Sequence, residues 1–171
     1  MSEYPAKQPT SGHRQLRVDL ASQTLLGLQD GQVVLRFAVS TGKNGAGEAN
    51  GSGCTPRGHH RVRLKIGAGC AENTVFVGRR PSGEIYTPVL ARQAPERDWI
   101  LTRILWLTGA QPGYNRGGSV DTLRRYIYIH GTPDTEPMGV AASHGCIRMR
   151  NRDLMQLFDW VEPGIPVEIV G

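Results

Sequence analysis

The 171-residue sequence has no long apolar run. Its longest, Trp99 to Leu107, is interrupted by Arg103 and falls far short of the roughly 20 residues that a membrane-crossing helix needs, so no span and no membrane partner is expected. The N-terminal stretch lacks an apolar signal core and carries Glu3, Lys7, His13 and Arg14. If Met1 is the natural start, this predicts a cytoplasmic protein, with a periplasmic one as the alternative. CxxC and HxxxH pairs, zinc-finger spacings and RNP-like aromatic motifs are missing, and so is the GxxxxGK[ST] phosphate loop; no internal repeat is present. Nucleic acid is therefore not the expected partner, although the net charge is +5 and basic residues gather at Pro56–Lys65 and Arg148–Arg152. A small carboxylate-bearing substrate suits that charge better. Cysteine is scarce and odd in number: of Cys54, Cys70 and Cys146, at least one must stay unpaired in any compartment.

Hydrophobic residues make up 39% and glycine 22 of the 171, the composition of a folded, turn-rich chain of one domain. Residues 1–14 read as a polar tail and 15–171 as the folded domain. Leu16, Val18 and Leu20 alternate with polar residues as a half-buried strand. Thr24–Leu28 and Val33–Val39 flank Asp30-Gly31, a tight-turn dipeptide, and so predict a hairpin. The segment 41–53 is Gly-rich and reads as a plain loop. Arg61–Ile66 predicts a strand with Val62, Leu64 and Ile66 inward; Thr74–Val77, Glu84–Thr87, Ile100–Leu107 and Arg125–Ile129 predict further short strands. One late helix is marked by Asn151 as N-cap and by Leu154, Leu157, Phe158 and Val161 at helical spacing, ended by Pro163-Gly164 and followed by a last strand, "IPVEIV". The fold class is mainly β.

Chemistry concentrates in Arg125–Asp153, where His130 ends a strand and Cys146 follows sixteen positions later in a Gly-bounded turn placed just before the helix. A thiol becomes a nucleophile when a base and positive potential favour its thiolate; the imidazole, Arg148 and the helix N-terminus could supply both. Gly145 permits the sharp turn and frees backbone N–H groups for an oxyanion. Two other readings stand beside this one: a buried structural cysteine, and a zinc site using Cys146, His144, His130 and His59 or His60.

"HGT" at His130–Thr132 with "SHGCIRM" at Ser143–Met149, preceded by "TPRG" at Thr55–Gly58, closely resembles the signature of the YkuD-type L,D-transpeptidases over roughly Leu16 to Val170. The resemblance implies a catalytic β-sandwich acting on peptidoglycan tetrapeptide stems or muropeptides, at the bond from the L-centre of diaminopimelate to the terminal D-Ala, through a thioester and without a cofactor or metal. It assigns Cys146 as nucleophile, His130 as base, the Gly131 carbonyl as the group orienting the imidazole, Ser143 and His144 as shaping the site, and the Gly145 and Cys146 N–H groups as the oxyanion hole. Arg148 is the candidate for holding a substrate carboxylate, against a reading as a surface arginine capping a loop. Tyr128 either lines the cleft or packs on a sheet face. With a true start at Met1, hydrolysis of the thioester, an L,D-carboxypeptidase of peptidoglycan recycling, is expected; cross-linking or D-amino-acid exchange is the alternative, and a non-catalytic stem binder a lesser one. A cytosolic protein would also keep three free thiols; an exported one would pair Cys54 with Cys70.

Overall fold

The computed structural model describes residues 12–171. The expected tail at 1–14 thus lies mostly outside the described residues, and Arg14 already opens the first strand. The chain forms ten strands, β1 (Arg14–Asp19), β2 (Thr24–Gln29), β3 (Gln32–Ala38), β4 (Gly58–Ile66), β5 (Thr74–Val77), β6 (Arg80–Ile85), β7 (Leu101–Gly109), β8 (Tyr128–Gly131), β9 (Ile147–Met149) and β10 (Pro166–Val170). Helices α1 (Pro88–Gln93) and α2 (Asn151–Trp160) complete it, with a short 3-10 turn at Gly118–Val120. The mainly β class and the late helix before the final strand are as the sequence predicts.

The strands hydrogen-bond into one sheet in the order β3-β2-β1-β10-β4-β7-β5-β6, with β8 attached to β7 and β9 to β8. The hairpin between β2 and β3 turns on Asp30 and Gly31, both at positive φ, as the dipeptide predicts. The last strand, β10, is inserted between β1, to which it runs parallel, and β4. Strand β7 is shared, pairing β4 along Ile104–Gly109 and β8 along Leu101–Trp106. The main core draws on β1 to β4, β7 to β10 and α2, leaving out β5 and β6: nineteen buried residues, among them Leu16, Leu25, Leu105, Ile129, Ile147, Leu157 and Ile169, form one cluster. Each such side chain contributes about 1.5–3 kcal/mol on leaving water.

Several local expectations fail for definable reasons. In β4 the register slips between Val62 and Leu64. Val62 is buried, but Leu64 is 42% exposed and Ile66 only half-buried, because the extra residue of a bulge breaks the period of two. The same slip turns Lys65 across the sheet, where Nζ donates to the Val161 carbonyl at 2.6 Å and lies 4.3 Å from the Phe158 ring centroid. Asn151 does not cap α2: Arg150 is the N-cap, and Asn151 is the first helical residue, buried, with its amide in a polar network described below. The strand expected at Arg125–Ile129 begins at Tyr128, because Tyr126 sits at φ +56 in a turn. Helix α1 was not foreseen; its signal is the pair Thr87-Pro88, in which the Thr87 hydroxyl accepts from the Leu90 N–H and Pro88 opens the first turn.

Candidate active site

Cys146 occupies a bend immediately before β9, so that a strand, not the helix, follows it, and α2 starts five residues later. The expected placement just before the helix is corrected accordingly, and with it the idea that the helix N-terminus bears on the sulfur. Strand β9 runs parallel to β8 in the register Ile129↔Ile147 and His130↔Arg148. That pairing sets Cys146 beside the start of β8: the Tyr128 N–H donates to Sγ at 3.3 Å and the thiol donates to the Tyr126 carbonyl at 3.3 Å. His130 lies two residues along the same strand from Tyr128 and therefore on the same side. Its Nδ1 bonds the Gly131 carbonyl at 2.7 Å, which fixes the tautomer with the proton on Nδ1 and leaves Nε2 as the basic nitrogen. In this resting geometry no hydrogen bond joins Sγ to the imidazole.

Glycine is required at two points. Gly145 has φ +122, and a Cβ there would press on the Cys54 carbonyl. A Cβ on Gly131 would collide with Asn151 Oδ1 and the Leu101 carbonyl. Behind Gly131, Asn151 accepts from Thr102 Oγ1 at 2.7 Å and donates to Asn73 Oδ1 at 3.0 Å and to the Thr132 carbonyl at 3.2 Å, so the residue expected as a cap instead buttresses the histidine strand.

The Gly-rich segment 41–53 is part of the site's frame. Ser143 donates its N–H to the Thr41 carbonyl and Lys43 donates to the Ser143 carbonyl, both at 2.9 Å. Thr55 ties the frame to the nucleophile's turn by accepting from the Gly42 N–H at 2.8 Å and donating to the Gly145 carbonyl at 2.9 Å. Arg125 clamps the loop through Gly47, Glu48 and Cys54 carbonyls and Ser52 Oγ. Ser143 shapes the turn directly: its hydroxyl donates to the Cys146 carbonyl and accepts from the Gly145 N–H at 3.1 Å. In this geometry the Gly145 N–H is given to the Ser143 hydroxyl, while that of Cys146 makes no such bond.

Electrostatics also depart from expectation. Burial pushes the Cys146 thiol up to about 11, with Asp98 adding to the rise; the Tyr128 N–H, Arg148 and Arg125 act the other way and do not overcome it. Burial likewise lowers His130, so the resting pair is neutral thiol and neutral imidazole. Arg148 is neither free nor on the surface. It is 6% exposed, and its Nη2 meets Asp98 at 2.9 Å while Nη1 meets Glu136 at 3.4 Å and the Ala142 carbonyl at 3.3 Å. Two carboxylates already hold the guanidinium expected to clamp a substrate carboxylate. Asp98 also accepts from His144, which is exposed, at 3.1 Å. Burial raises the Asp98 carboxyl, and the His144 hydrogen bond together with the Arg148 charge and hydrogen bond overcomes this and holds it below its ordinary value. Asp98, Glu136, His144 and Arg148 line a cleft of about 300 Å³ that also takes in Thr132 and Trp99. Tyr128 is buried and packs within the sheet: its ring lies edge-on against Trp106 at 5.9 Å, while its hydroxyl, raised by burial, accepts from Arg79 at 3.1 Å.

Reasoning from sequence missed Asp98, Arg125 and Arg79. Asp98 sits in "ERDW" and Arg79 in "GRR", where nothing local distinguishes them from surface charges. The residues of the zinc reading are not gathered: among the described residues no group of three or more His, Cys, Asp or Glu side chains is arranged to hold a metal ion. His60 lies in β4 with its ring between the Gly58 carbonyl and the Thr122 hydroxyl. Cys54, Cys70 and Cys146 are unpaired.

Comparison with known proteins bears on the whole domain. The YkuD L,D-transpeptidase catalytic domain matches residues 13–169. Among curated relatives, a protein of Escherichia coli K12 described as probable L,D-transpeptidase YbiS is 31% identical over 97 residues, covering 57% of this chain and 31% of that protein. The putative L,D-transpeptidase YkuD of Bacillus licheniformis is 44% identical over 46 residues, 27% of this chain and 28% of its own length. The chain thus aligns with about a third or less of the curated relatives it matches. Among solved structures, an L,D-transpeptidase from Mycobacterium smegmatis superposes with a TM-score of 0.57 at 22% identity, over 94% of this chain and 59% of that one. L,D-transpeptidase 3 of Mycobacterium tuberculosis, solved with a faropenem-derived adduct, gives 0.57 at 18% identity, over 94% and 61%.

Proposed function

The chain belongs to the L,D-transpeptidase (YkuD) catalytic-domain family, and from that premise we propose that it is a cysteine acyl-transfer enzyme of peptidoglycan metabolism, cutting the bond between the L-centre of diaminopimelate and the terminal D-Ala of a tetrapeptide stem. The observation that carries the reading is the β8–β9 register, which puts Cys146 and His130 on one side of a parallel pair while the Gly131 carbonyl fixes the imidazole. Because the thiol rests protonated, its proton must leave as the sulfur attacks. Nε2 of His130 takes it as the S–C bond forms, and the carbonyl oxygen gains the negative charge beside the Cys146 N–H. The imidazolium then protonates the departing D-Ala amine as the C–N bond breaks, which leaves a thioester and a neutral histidine. The acceptor, water or an amine, gives its proton to the same nitrogen and expels the thiol.

Incubation with a disaccharide tetrapeptide, with and without a free D-amino acid, followed by mass spectrometry of the products tests this. A tripeptide product marks hydrolysis, and an exchanged tetrapeptide or a cross-linked dimer marks transfer. Absence of all three overturns the reading. A carbapenem should acylate the same sulfur, adding the mass of the drug to the wild-type protein and nothing to Cys146→Ser; label on Cys54 or Cys70 would contradict the assignment.

A further inference from the structure

Two arginines bear on Cys146 and both are already spoken for, whereas a third reaches the neighbouring Tyr128. Arg148 is held by Asp98 and Glu136, and Arg125 by the oxygens of the 41–53 loop. Arg79 is different. Among the described residues no carboxylate pairs with it, and its only hydrogen bond is to the neutral Tyr128 hydroxyl. A guanidinium has five N–H donors, so most remain to be used.

Its position looks built. Gly78 and Arg79, at φ +55 and +65, form the two-residue turn between β5 and β6, where Val77 pairs with Arg80. The second place in such a turn suits glycine, and a long side chain there costs backbone strain that stability alone would not retain. The side chain folds back over the Trp106 and Tyr126 rings, 4.9 Å from each centroid, and reaches Tyr128. The same residues neighbour the sulfur: Trp106 and Cys146 both pack against the cluster that holds Tyr128, and the backbones of Tyr126 and Tyr128 supply the thiol's two hydrogen bonds. The two rings and the Tyr128 hydroxyl hold the guanidinium in place while its other donors stay unused, and an arginine held in this way can take a carboxylate.

We infer that Arg79 is a specificity-determining residue that binds a carboxylate of the donor peptide beside Cys146. This rests on the acyl-transfer reading. It moves carboxylate recognition from the expected Arg148 to the turn between β5 and β6. The carboxylate is either that on the side chain of the acyl-donating residue or that of the departing terminal residue.

Three tetrapeptide donors decide it: one with both carboxylates free, one amidated on the side chain, one amidated at the C-terminus. Each is assayed with wild type, Arg79→Lys and Arg79→Gly. The glycine variant relieves the turn, so its melting temperature should hold or rise. On the free donor Arg79→Gly should lower kcat/KM about tenfold to a hundredfold, mainly through KM, and Arg79→Lys by less. On whichever amide removes the recognised carboxylate, wild type should already be reduced and Arg79→Gly should take nothing more; that donor names the source. Equal loss on all three donors, or no loss on any, overturns the inference while the enzyme reading stands. Wild type that converts none of the three overturns the acyl-transfer reading and the inference with it.

Discussion

The sheet from β3 to β7, with β8 and β9 attached and α2 behind it, and the annex of β5, β6 and α1, solve different problems with the same chain. The first buries nineteen side chains in one continuous cluster, and its strands alternate cleanly enough that Leu16, Val18, Val167 and Ile169 are all at 1% exposure or less. The annex rests on Val75, Trp99 and Leu101, with Tyr86, Leu90 and Ala94 partly buried against them, and α1 buries no residue completely. Yet the annex and the segment leading out of it deliver Arg79 to the Tyr128 hydroxyl and Asp98 to Arg148 and His144. The body holds Cys146 and His130; Arg79 and Asp98, charges of the neighbourhood, come from the part with the least core. Selection on substrate can therefore act on the annex at little cost to the fold.

The largest expected effect separates chemistry from stability inside the body itself. Cys146→Ser should lose turnover altogether, and His130→Ala about 10²- to 10⁴-fold, with unchanged melting temperatures; an active, folded serine variant would remove Cys146 from the mechanism. With the thiol raised to about 11, alkylation by iodoacetamide should keep accelerating as pH rises past 9 toward 11. A plateau near 8 would mean an activated thiolate at rest. Next comes the core: Leu157→Ala should cost about 2–5 kcal/mol in urea denaturation, whereas Leu90→Ala in the annex should cost well under half of that, since it leaves a partly open contact. Comparable losses would erase the contrast.

A further difference is in acid. His60, buried in β4, is lowered from 6.5 to about 4 by burial, and His130 is lowered as well. The unfolded chain therefore binds protons that the native state refuses. Stability is full above pH 6.5 and falls as pH drops through that value toward 4, by about 3 kcal/mol for His60 alone. His60→Gln should flatten that slope in denaturation curves run between pH 7 and 4. The smallest effect belongs to the annex's exposed pair Arg97–Glu84, 2.9 Å apart; removing either partner should leave the melting temperature unmoved in 0.15 M salt.

What the sequence disclosed, and what it withheld, follow the same division. The β2–β3 hairpin was legible because Asp30-Gly31 carries its own turn chemistry, and α2 because Leu154, Leu157 and Phe158 repeat at helical spacing. Cys146, His130 and Gly131 were legible as a pattern of residue types, and the structure adds the contact between Gly131 and the imidazole. Leu64 was misread because a bulge depends on what β7 does opposite, and the partner strand is not visible from β4 alone. Asn151 was misread because a cap and a buried amide look identical in sequence; only Thr102, Asn73 and Thr132, all distant in the chain, tell them apart. Arg148 looked free because its two acids lie 50 and 12 residues away. Charge compensation is a tertiary fact.

The insertion of β10 between β1 and β4 also dictates the timing of the molecule's assembly. Residues 14–66 supply four strands early in synthesis, but β1 and β4 cannot complete their ladders until residues 166–170 have emerged, some hundred residues later. Contacts so far apart in sequence carry a high loop-closure cost and make for slow folding. Until then two open strand edges face outward on a nascent chain, so a ribosome-tethered fragment ending at Gly164 should bind chaperones or aggregate, while extension through Val170 should release a protected fold in one step.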